Sequence, residues 1–334
     1  MTDMMHVFEM LQPASLDETV NLMAKYKDKA WVIAGGKDSL DWFKDRVKRP
    51  EYLIDISNVK ELSGIQDNGD HVSIGPMVTL TELNQNKIIR ELFPVLADAA
   101  GRVASPQIRN SGTIGGNVAQ DTRCVYYRDG FPCYRAGGNT CYANTPTAMN
   151  REHTLFEAKR CVAVTASDTA PALSVLDAQM VISRDGELRT VSVGDFFVGP
   201  EIDIERMTAI EKDKGDLLVQ IRIPKTWAGS KQYFEKVADR QVWDFALVNV
   251  AMAAKLGANG AIEALQISCG AVQCTPRRLQ DVESLVVGEM PNQELETLVE
   301  RVASRGAKPL NYNQFKAPLM SQLAKRAIRS LSVA

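Results

Sequence analysis

The chain has 334 residues, which exceeds one typical domain, so two or three compact units are expected. Hydrophobic residues make up 45% and charged residues 24%, globular values, and the formal charge of -2 gives no basis for binding nucleic acid or an anionic membrane. The N-terminal stretch MTDMMHVFEMLQPASLDETV has no basic segment followed by an apolar run, and no stretch is long and apolar enough for a membrane helix.

Taken in chain order, Ser15 and Glu18 stand at capping-box spacing ahead of Leu16, Val20, Met23 and Ala24, which predicts an amphipathic helix. The β-prone runs WVIAGG (31–36) and YLIDIS (52–57) flank a helical DSLDWFKDRV, giving a small βαβ unit that ends near residue 60. A strand within HVSIGPMVTL then runs into Thr79 and Glu82, a second capping box. Residues 95–104 read as helix, whereas 105–150, rich in Gly, Asn, Pro and Arg, show no period and read as a long ordered loop. Loops of that length inside compact domains usually carry function. From residue 162 the pattern resumes: APALSVLDAQ as helix, MVIS and LLVQIRIP as strands, GDFFVGP between them. After Pro224 a third unit opens with KQYFEKVADR, ALVNVAMAAKL and IEALQISCGAV, and closes with helices around 292–305 and 317–331. The expected units are therefore 1–60, 61–224 and 225–334.

Two strand-like runs end in glycine turns, Ala34-Gly35-Gly36-Lys37-Asp38-Ser39 and Thr113-Ile114-Gly115-Gly116-Asn117. Glycine permits positive φ and close approach, and successive N–H groups in such turns form a concave anion site, so each turn is expected to present amides to a diphosphate. Neither a Rossmann fingerprint nor a P-loop is present, and a different dinucleotide fold is required. Either pair alone could mark nothing more than a tight turn.

Residues 104–117, ASPQIRNSGTIGGN, closely resemble the signature of the FAD-binding subunits of the xanthine dehydrogenase and carbon monoxide dehydrogenase family. The resemblance continues through IAGGKDSL (33–40), ASDTAPALSVLDA (166–178), FFVGP (196–200), GDLLVQIRIP (215–224) and FEKVADR (234–240). It implies an α+β chain with a vanillyl-alcohol oxidase-type flavin fold: two N-terminal α/β subdomains around FAD and a C-terminal α+β domain. By the same resemblance Val32, Ile33, Ala34, Gly35, Gly36, Lys37, Asp38 and Ser39 wrap the diphosphate, and Thr113, Gly116 and Asn117 meet it from the other side. Ala104 and Ile108 line the pocket, Ser167 and Asp168 bond the flavin's polar parts, and Leu218 and Lys236 lie near the isoalloxazine ring. The blander alternatives are that Asp168 caps the following helix and that Lys236 is a solvated strand residue. Lys37 departs from the family's small polar residue.

Six cysteines fall into two groups. Cys269 and Cys274 sit in an apolar stretch and read as core. Cys124, Cys133, Cys141 and Cys161 are spaced C-x8-C-x7-C-x19-C in a polar loop, within 49 residues (118–166) that separate two motifs only about ten residues apart in most of the family. The wide spacing disfavours zinc knuckles without removing zinc; four thiolates suffice for an iron–sulfur cubane. This insertion, beginning ThrArgCys, resembles the one that binds a 4Fe-4S cluster in 4-hydroxybenzoyl-CoA reductase and in certain periplasmic aldehyde oxidases, which assigns all four cysteines as ligands. Tyr126, Tyr127 and Tyr142 accompany them, and His153 is expected at the surface. No catalytic triad or general acid/base pair is visible.

The resemblance implies electron transfer between FAD here, 2Fe-2S clusters in a small subunit and a molybdenum-pterin cofactor in a large subunit, in a dimer of heterotrimers with an external acceptor or donor. It implies a cytoplasmic location, or export attached to a signal-bearing partner. The rival readings are a free-standing FAD oxidase and a flavin-free, zinc-stapled interaction protein.

Overall fold

A computed structural model describes residues 5–156 and 159–332, whose strands form three sheets. The first sheet is parallel: β1 (Glu9–Leu11) and β2 (Ala30–Ile33) both pair with the central β3 (Tyr52–Asp55). The helix Leu16–Tyr26 crosses between β1 and β2, as the sequence leads one to expect. The Ser15 side chain accepts from the Glu18 amide at 3.2 Å, but the Glu18 carboxylate takes the amide of Ala14 instead of closing the box on Ser15. A short helix, Ser39–Lys44, links β2 to β3 and buries Trp42 and Phe43.

The second sheet is antiparallel, in the order β4 (Ile65–Asp67), β5 (His71–Ile74), β8 (Leu217–Pro224), β6 (Gln179–Arg184), β7 (Glu187–Ser192). Ahead of helix Leu80–Gln85 the second capping box is complete, with the Glu82 amide donating to Thr79 and the Thr79 amide to the Glu82 carboxylate. That helix and Pro94–Gly101 pack with Thr169–Val175 over a core that includes Phe93, Leu96, Leu173, Phe196 and Ile221. Residues 105–150, expected as a long ordered loop without a hydrophobic period, are ordered but not free of secondary structure. They contain short helices at Pro106–Arg109, Ile114–Ala119 and Val125–Arg128 and single 3-10 turns at Tyr134–Ala136 and Tyr142–Asn144. Each is too short to show a hydrophobic period.

The third sheet runs β12 (Arg277–Arg278), β11 (Ile262–Gly270), β10 (Val248–Leu256), β9 (Lys231–Val237), all antiparallel. The run in β10 lacks polar alternation because both of its faces are covered. Val250, Met252 and Ala254 face the helices Gln293–Ala303 and Lys316–Arg329, while Ala251 and Ala253 join the core of the second unit. The small residues on that second face let helix Pro94–Gly101 and helix Thr169–Val175 approach the sheet closely, so the third unit is docked onto the second through a dry interface.

The cysteine insertion is moored to this third unit by one fully buried lysine. Lys316 Nζ donates to the carbonyls of His153 (2.8 Å), Ala271 (2.6 Å) and Glu152 (3.2 Å), and Asn313 donates to the carbonyls of His153 and Thr154. Replacing Lys316 by Met would leave the buried Ala271 carbonyl without its donor, while His153 O keeps Asn313, and an unpaired buried acceptor costs on the order of 1–3 kcal/mol. We expect Lys316→Met to lower unfolding stability by roughly 2 kcal/mol in denaturant titration, with protease cleavage of the intact chain moving into residues 145–156.

Candidate functional site

A cavity of about 680 Å³ lies between the first two units and reaches the third at Trp243–Phe245. Its size falls in the range of sites that enclose most of a sizeable ligand. Both glycine turns form its walls, and they touch one another there. A Cβ on Gly35 would stand 1.8 Å from the carbonyl oxygen of Ser111, so no other residue allows the two turns to meet as they do. Gly36 has φ +69°, a left-handed conformation open to glycine at little cost.

The two turns contribute differently. Among the described residues, the N–H groups of Gly35, Gly36, Lys37 and Asp38 make no hydrogen bond within the protein, which leaves a row of free donors at the cavity wall. In the second turn the expectation of free amides fails. Gly115 donates to Pro76 O (2.9 Å), Gly116 to Thr113 Oγ1 (3.0 Å) and Asn117 to Thr113 O (2.9 Å), because the turn continues into the helix Ile114–Ala119. Gly116 and Thr113 thus give this wall its shape, and the Asn117 side chain is held by Ser167 Oγ and Thr169 Oγ1, each 2.7 Å away.

Of the residues singled out from sequence, Val32, Ala34 to Ser39, Ala104, Ile108, Thr113, Gly116, Asn117, Asp168 and Leu218 line this cavity. Ile33 instead packs with Trp42 and Phe43 on the far side of β2, and Ser167 faces an adjoining cavity of about 240 Å³ that shares Arg123, Asp168 and Phe245 with the first. Lys37 is exposed at the rim, as its departure from the family pattern allows. Ala104, at φ +42°, is strained for a residue with a side chain, and its carbonyl accepts from the amide of Trp243 at 2.9 Å.

Asp168 does not cap its helix. Its carboxylate forms a buried ion pair with Lys236 at 2.7 Å, side chains 4% and 6% exposed, and accepts from Asn249 Nδ2 at 2.8 Å. Burial pushes the Asp168 carboxyl up, while Lys236 and Asn249 pull it back toward the charged form. Lys236 is therefore no solvated strand residue; it reaches the cavity only through Asp168.

At the cavity wall the Asp38 side chain reaches to the cysteine loop, where it binds Arg128 at 2.6 Å and Arg123 at 3.0 Å and accepts from the Asp121 amide. The other carboxylates that line the cavity are likewise paired: Asp41 with Arg123, Asp168 with Lys236, Asp216 with Arg184 and Arg189, Asp244 with Arg240. Lys37, Lys44 and Lys212 also line it and form no ion pair among the described residues. The net charge presented to an occupant is positive. Lys212, Arg123, Trp243 and Phe245 escaped the sequence reading. Lys212 lies 3.7 Å from the Trp31 ring centroid and Arg123 4.7 Å from that of Phe245, pairings between distant segments that no local pattern announces.

In the insertion, the thiols of Cys124, Cys141 and Cys161 interact electrostatically with one another. Cys133 packs with Trp42 and Tyr127 in an apolar cluster that Cys124 also borders. Cys274, read as core, is buried as expected and sits against Cys161, its thiol donating to Ala163 O at 2.9 Å. Burial raises the Cys124 thiol to about 11, whereas Cys161 is held down, chiefly by the adjacent Cys274. All six cysteines are free thiols, and among the described residues no three His, Cys, Asp or Glu are placed to hold one metal ion. His153 corrects the sequence expectation: it is buried, 6% exposed, and neither ring nitrogen has a hydrogen-bond partner. Burial and the nearby Lys316 ammonium push it down to about 4, so the ring is neutral.

A cavity walled by paired glycine turns, lined with free amides and unpaired lysines, has the features of a site for an anionic dinucleotide. The chain matches the family described as FAD binding domain in molybdopterin dehydrogenase over residues 6–226 and the CO dehydrogenase flavoprotein C-terminal domain over residues 232–331. It is 30% identical to the aldehyde oxidoreductase FAD-binding subunit PaoB of Escherichia coli (strain K12), over 93% of this chain and 92% of that one. It is 28% identical to the glyceraldehyde dehydrogenase medium chain of Sulfolobus acidocaldarius, over 91% and 88%. Among solved structures, a carbon monoxide dehydrogenase chain from Hydrogenophaga pseudoflava superposes with a TM-score of 0.77 at 26% identity, covering 98% of both chains. This chain belongs to the FAD-binding medium subunits of the molybdenum hydroxylase family. No helix among the described residues is long and apolar enough to cross a membrane.

Because Gly35 meets Ser111 backbone to backbone, Gly35→Ala must push the two turns apart. We expect that variant to purify with less than a tenth of the wild-type flavin content. Gly36→Ala meets only Leu40 and Ile33 side chains at 3.4–3.5 Å but carries the strain of φ +69°, so it should lose stability and some flavin, though less flavin than Gly35→Ala; flavin absorbance per chain distinguishes the two.

Proposed function

We propose that this chain is the electron-transfer subunit of a heterotrimeric molybdenum hydroxylase-type oxidoreductase, holding FAD in the large cavity and a 4Fe-4S cluster in the cysteine insertion. The observation that carries the flavin reading is the charge and donor pattern of the cavity: four free amides at Gly35–Asp38, every lining carboxylate paired, and three lysines left over for a diphosphate. The Asp168 end, next to Leu218 and the Asp168–Lys236 pair, is suited to the polar edge of an isoalloxazine ring. Bound FAD supplies exchange of electrons singly or in pairs, which suits a converter between one-electron clusters and a two-electron partner. The chain's own part is to bind the cofactor, orient it and shield it, with Phe245, Trp243 and the strained Ala104 closing the wall.

Support for the cluster comes from the donor set. Cys141 and Cys161 lie near enough to Cys124 to act on its thiol, Cys133 borders the same apolar cluster as Cys124, and single buried N–H groups of Arg123, Arg128 and Arg135 in the insertion lack hydrogen-bond partners, as donors awaiting a negatively charged group would. Cys124, Cys133, Cys141 and Cys161 are the proposed ligands; in a cubane each thiolate takes its own iron, so the sulfurs need not crowd one ion. Large molybdenum-pterin and small 2Fe-2S subunits, by analogy with the medium chains this one is similar to, are the proposed partners, with the substrate chosen outside this polypeptide.

Purification without air tests both halves together. The expected product carries one FAD, with a band near ~450 nm, and four irons with matching acid-labile sulfide beyond those of the small subunit; replacing Cys141 by Ser should remove those irons and leave the flavin. A chain with flavin and no iron of its own would contradict the cluster assignment alone, and a colourless chain would contradict the whole reading.

A further inference from the structure

The loop between β9 and β10, residues 238–247, brings Trp243 and Phe245 to the large cavity and is braced at its base. Arg240 closes it on itself, its amide donating to Asp244 Oδ2 at 2.8 Å and its guanidinium to both carboxylate oxygens. Arg151 of the cysteine insertion grips Asp239 with two hydrogen bonds, at 2.7 and 2.8 Å. At the tip, Trp243 has φ +76°, a conformation that a bulky residue rarely adopts, and its amide donates to the carbonyl of Ala104, itself at φ +42°. Two strained residues on separate segments are thus joined by one hydrogen bond at the cavity wall. The segment before Ala104 also accepts from Lys236, at Arg102 O, and Lys236 is the partner of Asp168, which sets Trp243 at the Asp168 end of the cavity.

That strain gains no packing within the chain. Trp243 lines the cavity yet is 60% exposed, and among the described residues its ring meets no aromatic or cationic side chain and its indole N–H has no acceptor. Val242, beside it, is 55% exposed and does not line the cavity. A large flat side chain held in a costly conformation without a partner keeps its face free for whatever fills the cavity.

We propose that Trp243 determines which external redox partners reach the flavin: its indole stands over the cavity mouth at the isoalloxazine end and bars bulky donors and acceptors from the ring. The role rests on the flavin reading above. Because the Arg240–Asp244 and Arg151–Asp239 pairs and the bond to Ala104 fix the backbone, the indole can turn about its own side-chain torsions but cannot leave the mouth. A compact planar partner passes its edge, and one with bulky substituents does not. The exchange itself is ordinary flavin chemistry, in which a quinone takes two electrons and two protons from the reduced flavin and leaves as the hydroquinone.

Hydroxyl-radical labelling of the full chain, flavin-loaded and flavin-stripped, reads the position of the indole. Trp243 is expected to be labelled several-fold less with flavin bound, and Val242 equally in both states. In a second arm the flavin-loaded chain is reduced with stoichiometric dithionite without air, and recovery of the flavin band is followed with p-benzoquinone or with a di-tert-butyl benzoquinone. Trp243→Gly relieves the backbone strain, so it should keep its fold; it is expected to be reoxidised several-fold faster than wild type by the bulky quinone and at the wild-type rate by the compact one. Trp243→Phe and Val242→Ala should stay close to wild type with both. Equal labelling of Trp243 with and without flavin overturns the proposal, as does a flavin-loaded Trp243→Gly with an unchanged preference between the two quinones. Loss of flavin from both Trp243 variants also overturns it, since that assigns the residue to holding the cofactor. Wild-type chain that binds no flavin would instead remove the reading on which this role rests.

Discussion

The contact on which the site depends is backbone against backbone: the Gly35 turn at the end of β2 pressed onto Ser111, in a segment held by the second unit. No side chain can mediate so close an approach. Where a glycine turn that follows a strand meets one that opens a helix, a ligand laid along the contact reaches main-chain amides directly. Only one of the turns keeps its amides free. The other uses its own to start a helix and serves as a wall, a division of labour that gives the cavity one polar rim and one shaped rim.

Charge organises the rest. Five aspartates line the cavity, and each is matched by an arginine or lysine, four of them by one from another segment and Asp244 by Arg240, four residues before it. The pairing of Asp38 with Arg123 and Arg128 has a further consequence, because it ties the glycine turn to the first residues of the cysteine insertion. The insertion is consequently part of the cavity wall, with Arg123 bordering both cavities and standing next to Cys124. On its other flank Lys316 fastens it to the third unit. The segment is thus held on one flank by the Asp38 ion pairs and on the other by the Lys316 hydrogen bonds, which fixes it relative to the large cavity.

What was legible in the sequence was local. The Thr79–Glu82 capping box, the strands around the Gly35 turn and the closing helices announce themselves within a few residues, because caps, glycine turns and periodicity are short-range physics. The family signature at 104–117 placed the second turn in the same site. What stayed hidden depends on partners far away in sequence. Lys236 finds Asp168 across 68 positions, Asp38 finds Arg128 across 90, and the Asn313 and Lys316 contacts that cover His153 lie some 160 residues on. His153 was expected at the surface because the four cysteines already made a full ligand set; the chain returning through Asn313 and Lys316 covers it. The committed amides of the second turn were hidden for a related reason, since a six-residue helix leaves no hydrophobic period to read.

The central claim is that the free amides of residues 35–38 hold a flavin diphosphate. An experimental structure of the chain purified with its natural cofactor tests it most directly. The account places the diphosphate of FAD within hydrogen-bond distance of at least two of those amides, with Thr113 and Gly116 on its opposite side and the isoalloxazine toward Asp168. Diphosphate density anywhere else in the cavity, or FAD bound with those four amides still unliganded, would contradict it.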